Sequence, residues 1–180
     1  MATIPLPASS AAHMGWRWMG APMNDTAQTL ADQLRLTVDY GQNLSRMIAA
    51  GHYDWTNSDI TAERFPTEGT SAVPVEARLF HFDRYLLSED AVAAIKTADA
   101  ENPWEPAKIE HLLSFGASNP DEQRRYPIVA LGSVAEVGGY RSVPYLHGGD
   151  AKRRLHLTWW DDGWCDLDRF LAVRNRSSGA

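Results

Sequence analysis

One cysteine in 180 residues, Cys165, excludes an intramolecular disulfide and fits a reducing compartment such as the cytoplasm. No apolar run approaches the roughly 18 residues of a membrane-spanning helix, so no helical span is expected. Basic residues are outnumbered, 17 against 23 acidic, which gives a formal charge of -6 and a pI near 5.4. A surface of that sign disfavours nucleic acid and anionic lipid as partners, because both bind basic surfaces. The local basic spots Arg124-Arg125 and Lys152-Arg153-Arg154 sit among acids. Also missing are a phosphate-cradling glycine loop, a nucleophile elbow and zinc-type Cys/His spacing, the commonest sequence marks of an enzyme. No cofactor is expected.

What the chain does have is tryptophan. Seven fall at Trp16/Trp18, Trp55, Trp104 and Trp159/Trp160/Trp164, where an aromatic body with a polar handle serves either a core or an interface. The length suits one domain with a real core. Residues 1–23, rich in Ala, Ser, Pro and Met, lack a basic start and a continuous apolar centre; they read as a flexible arm rather than a secretory signal. Residues 24–180 read as a single α+β domain.

From Asp25 the apolar residues Ala27, Leu30, Ala31, Leu34, Val38, Leu44, Met47 and Ile48 recur near the helical period, which predicts one long helix, bent near Gly41 and stopped by Gly51. A strand is expected over Val75–Phe82, a helix from Ser88 to about Ala100, and a second helix over Ala107–Phe115 ended by Gly116. Ile128 to Leu131 form a continuous apolar run, as in a strand buried on both faces. Tyr140 to His147 follow as a strand in which Pro144 suggests an edge or a bulge. The order α-β-α-α-β-β-β-β predicts an antiparallel sheet of about five strands with helices on one face.

The last strands invite the most specific expectation. Runs on either side of Asp161-Asp162-Gly163 alternate in polarity, and a three-residue loop with Gly163 in a bulge would join them as a hairpin. In that register Leu155, Leu157 and Trp159 share a face with Cys165, Leu167 and Leu171. The other face then sets His156 against Asp168, Thr158 against Asp166 and Trp160 beside Trp164. A histidine opposite a carboxylate is suited to acid–base work, so His156, Asp166 and Asp168 are candidate catalytic residues. A solvated antiparallel face shows such pairs without any chemistry. Trp160, Trp164, Asp161 and Asp162 are candidate binding residues, and His81 with Asp83 a candidate metal pair. His111 reads as a half-buried helix residue rather than a ligand.

The stretch from Arg124 through Val143-Pro144-Tyr145-Leu146 to Trp159, Trp164 and Arg169-Phe170-Leu171-Ala172-Val173-Arg174 resembles a group of small bacterial α+β proteins with no assigned activity. The resemblance implies no functional residue. In layout the chain is similar to the helix-plus-curved-sheet immunity proteins of the SMI1/KNR4 type, a likeness that implies a protein partner. Two functional readings follow. One is an interaction protein, inhibitor- or immunity-like, that binds another protein through the acidic, Trp-rich hairpin end. The other is a small metal-dependent or acid–base hydrolase using His156, Asp166 and Asp168.

Overall fold

A computed structural model describes residues 34–149 and 151–175. The expected arm, with Trp16 and Trp18, and the start of the expected first helix lie outside these residues. In chain order the elements are β1 (Leu34–Asp39), α1 (Leu44–Ala50), β2 (Trp55–Thr56), β3 (Ala72–His81), α2 (Ser88–Thr97), β4 (Glu105–Pro106), α3 (Ile109–Ser118), α4 (Glu122–Arg125), β5 (Ile128–Val129), β6 (Ala135–Val137), β7 (Tyr140–Gly149), β8 (Lys152–Trp159) and β9 (Arg169–Asn175). The class is α+β, as expected, but the sheet is not the antiparallel five-stranded one. Nine strands form one mixed sheet of order β1-β3-β9-β5-β7-β8-β2, with β4 also on β9 and β6 also on β7. The β5/β9 and β2/β8 pairs are parallel.

The helices also cover both faces rather than one. On the first face α1 and α3 bury Leu44, Met47, Leu112, Leu113 and Phe115 against Val38, Ala77, Leu146, Leu155 and Leu171. On the second, α2 buries Ala91 and Ile95 with Phe80, Val129, Val143, Phe170 and Ala172. Alternate residues of β9 feed opposite cores, as the pleat requires.

The expected hairpin between β8 and β9 does not form, because β5 and β7 lie between them. Phe170, Leu171, Ala172 and Val173 are all buried. Four consecutive apolar residues cannot lie on an amphipathic ribbon with one wet face, so this strand goes to the middle of the sheet. The strand β8 pairs instead with β7, which sets Leu155 opposite Leu146 and His156 opposite Tyr145. Cys165 and Leu167, expected on the apolar face, are exposed in the connection.

Nor is there one long first helix over the described residues. Leu36 and Val38 are buried while Arg35 and Thr37 are exposed, the two-residue period of a strand, and β1 pairs with β3. Leu34 and Val38 also fit a four-residue spacing, and so short a run satisfies both templates. The helix proper starts where Asn43 accepts a hydrogen bond from the Arg46 N–H at 2.9 Å, and it ends at Gly51 as expected. Pro144 lies inside the sheet, not at an edge. Its carbonyl accepts from Ala130 N–H at 3.0 Å, so its donor-less nitrogen faces the same side, in the gap between the β5 and β6 pairings.

Gly116 does not end α3, which runs on to Ser118. A Cβ there would fall 2.3 Å from Tyr53 Oη and 2.7 Å from Leu146 Cδ1. The Gly116 carbonyl accepts from Arg153 Nη2 at 2.6 Å, and the Gly51 carbonyl accepts from Arg153 Nη1. One buried guanidinium, lying over the Tyr53 ring at 5.1 Å, thus satisfies carbonyls at the ends of both first-face helices. We expect Gly116→Ala to lower stability by about 1–3 kcal/mol in urea denaturation through overpacking. A gain in stability, the sign that helix propensity alone would give, would show that this packing is loose.

Candidate functional site

Among the described residues the second face is only partly roofed. Under α2 it is apolar, but Tyr145 and His147 of β7 and Arg154, His156 and Thr158 of β8 continue the same face beyond the helix, by strand alternation from Val143. Tyr145 is half-buried against the α2 cluster. Its ring lies 5.0 Å from His147, stacked at 15°, and 5.8 Å from His156. His156 lies 4.7 Å from Trp55, the exposed residue that β2 lays along the outer edge of β8. The four rings form a contiguous row from half-buried to open. A cleft of about 330 Å³ at its outer end is lined by Asp54, Trp55, Lys152, Arg154 and His156.

The row has its own electrostatics. Burial, then the neighbouring His156 and Arg154, hold the His147 imidazole below its ordinary range. Burial and then the Asp168 carboxylate push the Tyr145 phenol up, against a smaller opposing pull from Arg154. Asp54 accepts a hydrogen bond from the Arg153 N–H at 2.7 Å, which anchors β2 to β8.

The structure scatters the candidates of the expected hairpin. His156 belongs to the aromatic row. Asp168 lies across the face from it, beyond Tyr145, and accepts from the Cys165 N–H at 2.9 Å. Asp166 is exposed, and its main-chain carbonyl, not its carboxylate, accepts from His81 Nε2 at 2.9 Å. Asp83 is exposed. Among the described residues no three His, Cys, Asp or Glu side chains come together in a metal-holding group.

Trp164 is 5 % exposed. Its Nε1 donates to Ser88 Oγ at 2.9 Å and its ring packs edge-on to Phe170, so it fastens α2 to the sheet instead of facing a partner. Trp160 is half-buried and donates to Glu89 at 2.7 Å. That hydrogen bond, more than the nearby Arg141, keeps the Glu89 carboxyl below its ordinary range. Arg141 pairs with Asp161 and reaches Glu89 at 3.4 Å, while Asp162 is exposed. Open to solvent at this end are Tyr85, 70 % exposed beside Gly163, and the pair Tyr140 and Trp159, 57 % and 52 % exposed and stacked 5.1 Å apart.

In the sequence reading Trp55 figured only as one of the seven tryptophans, Tyr145 and His147 only as residues of an expected strand, and Lys152 and Arg154 only as a local basic spot. Joined just after Gly149, β7 and β8 pair antiparallel, which sets Tyr145 opposite His156 and His147 opposite Arg154.

His111 is buried in α3. Lys108 N–H donates to its Nδ1 at 2.9 Å, which leaves the proton on Nε2, 2.8 Å from Tyr40 Oη. Burial, then the Lys108 charge, lowers its pKa from 6.5 to about 4. With both nitrogens engaged and the ring sealed from solvent, its role is structural. Compared with family models, curated proteins and solved structures, the chain matches none.

Two outcomes are expected. Trp164→Ala should cost roughly 3–5 kcal/mol in denaturant, the range for a buried aromatic; a loss within 1 kcal/mol would contradict its role in fastening α2. Between pH 6.5 and about 4 the unfolded chain takes up a proton that folded His111 refuses. Stability therefore falls as pH falls through that window, by roughly 3 kcal/mol in all. Glu110, its carboxyl raised mainly by burial, acts in the opposite sense and loses its contribution as pH rises through its folded value. Denaturation of His111→Gln at pH 7 and 4.5 should show a flatter dependence than the parent; an unchanged slope would place the acid sensitivity elsewhere.

Proposed function

We propose that the protein is an interaction module, inhibitor- or immunity-like, which binds a basic protein partner through the acidic, aromatic end of its sheet. The observation that carries this reading is the exposed Tyr140–Trp159 stack. Tyrosine and tryptophan supply most interface hot spots because they cover much area at little entropic cost. Asp161 and Asp162 follow Trp159 within three residues, and a chain of charge -6 steers a cationic partner toward the stack. A single cysteine suits such a module to the cytoplasm. The binding residues of this reading are Trp159 and Tyr140 with Asp161 and Asp162, and Trp160 supports them through Glu89.

The test is capture from host extract with the parent chain and with Trp159→Ala, followed by the affinity of the purified partner. A basic partner bound at least about tenfold more weakly by the variant, with weakening by salt and a melting temperature close to the parent's, is expected. An acidic partner, or one held equally by both chains, would sink the reading.

A further inference from the structure

The cleft at the β2/β8 edge lies on the other side of the sheet's strands from the Tyr140–Trp159 stack, by alternation along β8, and its chemistry is different. Trp55 is 44 % exposed and has His156 against its ring at 4.7 Å and 32°. That arrangement supports the indole from one side and leaves it accessible to a flat guest, the requirement of a stacking platform. Two cations, Lys152 and Arg154, share the cleft wall with it. Among the described residues neither has an ion-pair partner. The third basic residue of the run, Arg153, is turned to the opposite face and spent on helix carbonyls. Asp54 supplies an acceptor at the same wall, with one carboxylate oxygen engaged by the Arg153 N–H.

We infer that this cleft binds a mononucleotide, its base stacked on Trp55, its phosphate between Lys152 and Arg154, and a hydroxyl or amino group donated to Asp54. Each part of the ligand answers one feature of the cleft. A bare phosphate would leave the indole and the carboxylate unused, and would meet a site carrying a negative charge of its own. An uncharged nucleoside would leave two cations unanswered. The size is in keeping: about 330 Å³ lies at the lower end of the roughly 300–1,000 Å³ taken by small-ligand pockets. That is room for one nucleotide. A nucleic acid strand is disfavoured because it would have to track across a surface of net charge -6.

The experiment is calorimetric and NMR titration of the full chain with adenosine 5′-monophosphate, adenosine, inorganic phosphate and a short oligoadenylate. Saturable binding of the monophosphate is expected, with adenosine and phosphate each at least about tenfold weaker. Trp55→Ala and Arg154→Ala should each weaken it about tenfold, and Trp55→Phe should restore most of the loss. Melting temperatures should stay near the parent's, since both side chains reach solvent. Trp159→Ala should leave the monophosphate affinity unchanged, which separates this site from the interaction surface. Absence of saturable binding, equal binding of phosphate alone, indifference to both variants, or an oligonucleotide that binds more tightly per residue than the monophosphate would each overturn the assignment.

Discussion

Phe170, Leu171, Ala172 and Val173 place apolar side chains at four consecutive positions, and such a strand is stable only where both of its faces are covered. This constraint organises the molecule. It puts β9 at the centre, with β3 on one side and β4 and β5 on the other. It calls for α1 and α3 on one face and α2 on the opposite one. Denied β9 as a neighbour, β8 pairs with β7 across a tight turn. The chain from Trp160 to Asp168 then has to cross the end of the sheet, where the Leu86–Trp164 bridge and the Trp164–Ser88 hydrogen bond hold it to the start of α2.

Both candidate surfaces descend from that arrangement. A ten-residue helix is about 15 Å long and strands lie about 4.8 Å apart, so α2 can roof only two or three strands of so wide a sheet. Among the described residues the β7, β8 and β2 side of the second face has no helix over it. Aliphatic side chains there would form an exposed apolar patch, whereas Tyr145, His147, His156 and Trp55 cover the strands and still accept solvent. The same crossing sets Arg141 between Asp161 and Glu89 and leaves Tyr140 and Trp159 outside the core. Rigidity at both places comes from main-chain anchors: Asp54 on the Arg153 N–H at one, and Ser88 on the Trp160 carbonyl at the other.

The tryptophans show why composition alone could not locate a site. Trp159, Trp160 and Trp164 sit within six residues of one another, yet one is open, one is half-buried on a glutamate and one is core. Alternation separates Trp159 from Trp160, and that much was readable. The inward turn of Trp164 depends on Leu86 and Ser88, more than seventy residues earlier. His156 was singled out for a carboxylate opposite; its actual neighbours are rings, because the strand across from it is β7.

Local chemistry determined what each segment could be. The α+β class, the stop at Gly51, the start of α2 at Ser88, the third strand and the buried character of Ile128-Val129 were all legible, since periodicity, capping and apolar runs act within a few residues. Tertiary structure alone decided which strands are neighbours, that two of the pairs are parallel, that Leu34–Asp39 is strand and not helix, and that helices cover both faces. Backbone hydrogen bonds between strands are the same whatever the sequence, so a strand's partner is chosen by which arrangement buries every apolar face at once. That choice belongs to the whole chain and not to any one stretch of it.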